Sequence, residues 1–256
     1  MYNALVVRRI DLTPQLVIFH VKPDAGVPDF EPGQYVALGL LGSEPRGPGF
    51  KPDVEEVKAD KIIKRAYSIG SSPAQKDFIE LYIALVDDGA LTPRLAVLSE
   101  GSRLFMAPKI VGHFTLHDLP EEKNAVLVST GTGIAPFMSM IRTPSCWTPG
   151  RRFTMVHGVR YVSDLAYREE LLSLQFKDRL AYLPIVSRAT EDWKGDRGHV
   201  QKLFEDGKVP LNPAKDHVFL CGNPAMIEGM QKLLESRGYT EHSKKHPGNM
   251  HLEKYW

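Results

Sequence analysis

Arg65, Tyr67 and Ser68 fall within the four-residue run Arg65-Ala66-Tyr67-Ser68, and Ile69-Gly70-Ser71-Ser72-Pro73 follows at once. A guanidinium can match a phosphate charge, an aromatic plate can stack on a planar ring, and a hydroxyl can hydrogen-bond a ring nitrogen. These are the three services that a ring-bearing dinucleotide needs. Alternation along a strand puts Arg65 and Tyr67 on one face. An ordinary strand ending in a Ser/Pro turn fits the same four residues equally well.

Roughly 60 residues on, Thr130-Gly131-Thr132-Gly133-Ile134-Ala135-Pro136 joins an apolar run to a helix-like segment. It is not GxGxxG, because Pro136 stands where the last glycine would be, and no Gly-Lys-Ser/Thr makes it a Walker loop. Its glycines permit close backbone approach, and the following helix N-terminus can face an anion. Strand-to-helix glycine turns are common, so the reading depends on its company.

That company is a set of further polar runs. Ser187-Arg188 follows the apolar run ending at Val186, and Arg197 and His199 lie in Gly195-Asp196-Arg197-Gly198-His199-Val200-Gln201. A hydroxyl and two arginines suit an extra phosphate, although loop arginines are more often solvated. Leu81-Tyr82-Ile83-Ala84-Leu85-Val86 precedes Gly89-Ala90-Leu91-Thr92-Pro93-Arg94. Thr92 before Pro93 predicts an N-cap and first-turn pair, whose helix end can take a phosphate or can simply be a capped helix. Cys221, in Leu220-Cys221-Gly222-Asn223-Pro224, ends the last apolar run, where ligands meet α/β sheets; a small buried core residue is the equal alternative. The chain closes on His251-Leu252-Glu253-Lys254-Tyr255-Trp256, whose two terminal aromatics suit water poorly and predict docking on something flat.

The elements that must position these groups differ between the two halves. Up to about residue 115, the short runs Tyr2–Val7, Leu16–Val21, Gln34–Leu40, Ala66–Ile69 and Phe78–Leu85 are separated by Pro- and Gly-bearing turns. That spacing predicts an antiparallel β-barrel or sandwich. From about residue 124, apolar runs at Ala125–Val128, Phe153–His157, Ala181–Val186 and Val218–Cys221 alternate with helix-like segments at Ala135–Ile141, Asp164–Leu174 and Ala225–Ser236. This predicts a parallel sheet in an α/β domain. The domains are therefore expected at 1–115 and 116–256, with Gly112–Lys123 as linker. His113 and His117 in that linker lack a third ligand, so no metal site is expected. Gly42–Ile63, rich in Gly, Pro and charge, reads as a solvated loop before a binding lid.

The 256 residues suffice for two ordinary domains. With 32 Lys+Arg against 31 Asp+Glu, net +1, bulk charge gives no argument for nucleic acid or an anionic membrane. No apolar stretch is long enough to span a bilayer and the N-terminus reads as a strand, so a cytoplasmic protein without membrane insertion is expected. Two cysteines, Cys146 and Cys221, are too few for an iron-sulfur cluster. Cys146 sits in a Pro-rich loop and has no role assigned.

Taken together, Arg65–Ser68, Gly89–Arg94 and Thr130–Pro136 resemble the ferredoxin-NADP reductase family of FAD flavoproteins. Glu253-Lys254-Tyr255-Trp256 narrows the resemblance to the bacterial ferredoxin/flavodoxin reductases. It runs almost end to end, with an apparent insertion near residues 42–63. The resemblance implies an antiparallel FAD-binding β-barrel followed by an NADP-binding α/β domain. FAD would be held by Arg65, Ala66, Tyr67, Ser68, Tyr82, Ile83, Ala84, Ala90, Leu91 and Thr92. Thr130, Gly131, Thr132, Gly133 and Pro136 would receive the NADP pyrophosphate. Ser187, Arg188 and Arg197 would hold the adenosine 2′-phosphate, Arg160 would also be cofactor-binding, and His199 would stack on adenine where relatives often carry a tyrosine. Ser68 and Glu253 would tune protonation at flavin N5, Cys221 would lie near the nicotinamide, Tyr255 would cover the flavin face and Trp256 would stack near the FAD adenine. The implied reaction moves hydride between NADPH and flavin N5 and single electrons to or from ferredoxin or flavodoxin, in a monomer. An NADPH-dependent flavin or quinone reductase, a flavin-containing electron-transfer subunit of a larger enzyme and a non-catalytic nucleotide sensor remain open alternatives.

Overall fold

The computed structural model describes residues 2–175 and 178–254. They divide into two compact units, Met1–Thr115 with Ala135–Thr143 and Leu116–Ile134 with Pro144–Trp256.

The first unit contains β1 (Ala4–Thr13), β2 (Leu16–Pro23), β3 (Tyr35–Leu41), β4 (Ile62–Ser68), β5 (Ile79–Ala84) and β6 (Arg103–Met106). Their order is β4-β3-β6-β1-β2-β5, with every neighbouring pair antiparallel. The two edges meet, because Ile69 bridges Leu81 and Gly70 N donates to Glu80 O at 2.8 Å. The sheet is thus a closed barrel, which removes exposed strand edges. Alternate residues Val17, Phe19 and Val21 and Val36, Leu38 and Leu40 fill its core. Each such side chain contributes about 1.5–3 kcal/mol by leaving water.

Two helices belong to this unit, α1 (Thr92–Leu95) and α2 (Ala135–Ile141). A buried polar network ties the end of α2 to the barrel. Ser139 Oγ donates to Ser71 O at 2.7 Å, and Arg142 donates to Gly70 O at 2.8 Å and Glu80 Oε1 at 2.6 Å. Glu80 Oε2 lies 3.0 Å from His20 Nε2, and His20 stacks on Phe78. A buried carboxylate is tolerated here because both of its oxygens are paired.

The second unit contains β7 (Asn124–Thr130), β8 (Phe153–Val159), β9 (Leu180–Val186), β10 (Asp196–Arg197), β11 (Asp216–Gly222) and β12 (Met250–Lys254), with α3 (Arg168–Gln175), α4 (Val200–Glu205) and α5 (Pro224–Glu235). The order is β10-β9-β8-β7-β11-β12, parallel throughout. Val126, Val128, Val156, Val218 and Leu220 pack one face against Val200, Leu203 and Phe204 of α4 and Ile227, Met230 and Leu234 of α5. The chain leaves β7 in one direction through β8, β9 and β10, then returns on the other side as β11. That reversal is a topological switch point, and its crevice lies at the carboxyl ends of β7 and β11.

The helix expected over Asp164–Leu174 is split. A 3-10 turn at Val162–Asp164 is separated from α3 by Tyr167 at φ 61°. The terminal run expected as a docked tail supplies an edge strand, β12, as far as Lys254. No described helix is long and apolar enough to cross a membrane.

Candidate functional site

At the switch point, a 3-10 turn at Gly131–Ile134 leads directly into α2. A Cβ on Gly133 would sit 2.4 Å from Cys221 O, and one on Gly222, at φ +138°, would sit 2.4 Å from Thr130 Oγ1. These glycines let the turns after β7 and β11 touch, so the close approach expected for a ligand is already used by the chain itself. Gly131 differs: its φ is +53° and a Cβ there would meet nothing within 4 Å, so backbone conformation rather than space calls for glycine. Asn223 N donates to Thr130 Oγ1 at 2.9 Å, and Asn223 Oδ1 caps α5 by accepting from Ala225 N at 2.8 Å. Thr130, Gly131 and Thr132 keep partial exposure, whereas Pro136 is buried in α2.

His157, fully buried on β8, steadies this turn. Its Nε2 lies 3.1 Å from Gly131 O. Burial pushes its pKa down to about 4, so the ring is neutral at pH 7, and facing a carbonyl Nε2 carries the proton and donates. Nothing in the sequence singled it out except its place near the end of an apolar run.

Strand register sets four polar groups in one row. Ser129 of β7 is opposite His157 and Cys221, and Cys221 is opposite Glu253 of β12. Parallel neighbours in register project to the same face. Cys221 is fully buried, which leaves its thiol without a surface. Burial pushes Glu253 up to about 7, and its Oε2 has no partner among the described residues. A carboxyl of that kind can hold or release a proton near neutrality. Tyr255 and Trp256 lie outside the described residues.

On the barrel, Arg65 and Tyr67 of β4 stand opposite Leu38 and Val36 of β3 and share their face. Arg65 and Ala66 are exposed, and Arg65 Nη1 donates to Lys64 O at 2.8 Å. Tyr67 packs against the barrel core, and its buried hydroxyl has no partner among the described residues. Burial raises its pKa. Ser68 is buried. Tyr82 and Ile83 are also buried on β5; Ile83, like Leu91, places its side chain in the core, so only main chain is left to meet a ligand there. Ala84 and Ala90 are half-buried.

The structure corrects two expectations near α1. Leu91, not Thr92, occupies the N-cap position, and no side chain caps the helix. Thr92 Oγ1 instead accepts from Val86 N at 3.0 Å and donates to Val86 O at 3.2 Å, closing the preceding turn. Residues 42–63 are not simply a solvated loop either. Asp53 binds Arg94 through both oxygens, at 2.9 and 2.7 Å, and Arg46 at 2.6 Å; Arg46 also donates to Gly89 O at 3.0 Å. The Arg94 hydrogen bonds hold the Asp53 carboxyl below the usual carboxylate range. The segment is thereby strapped onto Gly89–Arg94.

At the ends of β8 and β9, Ser187 N donates to Val159 O at 2.9 Å and Arg188 N to Arg160 O at 2.8 Å. Arg160, Ser187 and Arg188 are brought together there, with both arginines exposed. Arg197 behaves differently from the free phosphate ligand expected. Its guanidinium donates to Ala189 O at 3.1 Å and to Thr190 O and Trp193 O, each at 2.7 Å, so it shapes the loop beside β9. His199 is exposed at the start of α4 and makes no capping bond, which leaves its imidazole face available.

Tyr67 Oη and Glu253 Oε2 supply the test of whether a flavin and a nicotinamide nucleotide fit. Buried polar atoms are normally hydrogen-bonded, and one lacking a protein partner suits a group that a ligand completes. The residues present fit.

Comparison with known proteins places relatives beside this geometry. Residues 127–232 match the oxidoreductase NAD-binding domain family. The chain is 36% identical over 222 residues to a ferredoxin–NADP reductase of Pseudomonas aeruginosa, covering 82% of this chain and 80% of that protein. It is 32% identical over 248 residues to a flavodoxin/ferredoxin–NADP reductase of Escherichia coli, covering 93% of each. A solved ferredoxin NADP+ reductase from Neisseria gonorrhoeae with bound FAD and NADP shares the fold at a TM-score of 0.81 and 24% identity, over 98% of this chain and 97% of that one.

Proposed function

The chain belongs to the ferredoxin–NADP reductase family, and from that premise we propose that it is an FAD-dependent enzyme carrying electrons between NADPH and ferredoxin or flavodoxin. The observation that carries this reading is the row ending in Glu253 beside the β7–β11 switch point: a buried carboxyl near neutrality stands in register with the strand end where a nucleotide enters. FAD supplies the conversion between a two-electron hydride and single-electron steps.

The chain's own residues supply binding, orientation and proton handling. Arg65 offers positive charge to the FAD pyrophosphate, Tyr67 a stacking plate and Ser68 a hydrogen bond at N5. The turn at Thr130–Gly133, held by His157, offers main-chain donors to the NADP pyrophosphate. Arg160, Ser187 and Arg188 read the 2′-phosphate, and exposed His199 offers a face to adenine. Glu253 holds the proton that accompanies hydride transfer. Cys221, having no surface, acts by packing the strand end.

Two measurements test the reading. Flavin released by denaturation and separated chromatographically is expected to be FAD, and steady-state dye reduction is expected to favour NADPH over NADH. Recovery of FMN alone, or equal use of both nicotinamides, contradicts it.

A further inference from the structure

The geometry points to Tyr161 as the residue that positions Arg188 for the 2′-phosphate and so sets the preference for NADPH, an inference that rests on the nucleotide reading above. Arg188 Nη1 donates to the Tyr161 hydroxyl at 3.2 Å, and the guanidinium carbon lies 6.0 Å from the ring centroid. One aromatic side chain thus meets the cation through its hydroxyl and through its ring.

The platform is itself fixed. Tyr161 N donates to Asp164 Oδ2 at 3.0 Å, and Asp164 N returns a bond to Tyr161 O at 3.0 Å. Tyr161 remains 46% exposed, although its side chain is large and apolar enough to have been buried. Arg188 is tethered at its other end, where its main-chain N–H donates to Arg160 O. A long side chain held at both ends loses less freedom when an anion binds.

Arg197 strengthens the case by subtraction. Its Nη1 and Nη2 donate to loop carbonyls, so of the arginines assigned to the nucleotide Arg160 and Arg188 are the two not used to shape that loop. Arg160 has no side-chain hydrogen bond or ion pair among the described residues, so Arg188 is the arginine whose direction the protein sets. Tyr161 is a positioning residue and need not touch the phosphate.

The test uses FAD-loaded protein and calorimetric titration with adenosine 2′,5′-bisphosphate and with 5′-AMP, which differ only in the 2′-phosphate. Tyr161→Leu is expected to weaken the bisphosphate about three- to tenfold while leaving 5′-AMP unchanged. Tyr161→Phe, which keeps the ring and loses the hydroxyl, is expected to fall between wild type and Tyr161→Leu. In an Arg188→Leu background, Tyr161→Leu is expected to have little further effect. Equal weakening of both ligands, no weakening of either, or a full Tyr161 effect without Arg188 would overturn the inference. Wild-type protein binding the two ligands equally would overturn the 2′-phosphate reading itself, and the inference with it.

Discussion

Glu253 is the carboxyl whose chemistry the fold changes most usefully. Burial raises it from 4.5 to about 7, because the ionised form loses water and gains no cation. The acid form predominates below pH 7 and is lost above it. If that form supports hydride transfer, NADPH oxidation should fall as pH rises through about 7. Glu253→Gln should lower the rate and abolish that limb, as read in a pH profile of dye reduction. An identical limb in the variant would assign the titration elsewhere. The family resemblance made Glu253 visible, two residues before Tyr255, but its environment was not legible, since β12 takes its place beside β11 only on folding. The same limit explains Thr92 and Arg197. Residue type predicted a cap and a phosphate ligand, while backbone groups nearby in space offered each a better partner.

The β12 edge also carries a histidine stack. His251 lies 4.2 Å from the Phe219 ring and 4.6 Å from His242, and its Nε2 is 3.1 Å from His217 Nδ1. Asp118 Oδ2 lies 3.7 Å from His242 Nε2, and at His217 the neighbouring Asp216 favours protonation while Lys123, His242 and Arg151 oppose it. Burial pushes His251 down to about 3 and also lowers His217. The His251 ring is neutral in the folded protein but protonates near 6.5 when unfolded, so its stability contribution is full above pH 6.5 and lost on acidification towards about 3. Glu253 has the opposite sign, its contribution being full below 4.5 and lost as pH rises through about 7. In His251→Phe, denaturant unfolding should show the unfolding free energy falling less steeply between pH 6.5 and 4, by about 1.4 kcal/mol per pH unit for the one proton no longer taken up on unfolding. A slope matching wild type would contradict the neutral-stack account. The long apolar runs that became β2, β3, β7, β8 and β11 were legible because burial writes periodicity into them. β6, β10 and β12 were not, being short or mixed in polarity and fixed by their neighbours. The strap at residues 42–63 was hidden likewise, because Asp53 meets Arg94 only after folding.

At the scale of the molecule, the barrel and the parallel sheet were legible from the change of period near residue 124. The grouping of Ala135–Thr143 with the barrel strands was not, since it depends on Ser139 and Arg142 meeting Ser71, Gly70 and Glu80 far away in sequence. The central claim concerns the passage of electrons through the whole protein to a protein acceptor. The most direct test is anaerobic stopped-flow mixing of the FAD-loaded protein with NADPH in the presence of oxidised ferredoxin or flavodoxin. The account predicts bleaching of the flavin absorbance by NADPH, followed by its recovery as the acceptor protein is reduced. No bleaching, or bleaching followed by transfer only to free flavin or quinone, would contradict it.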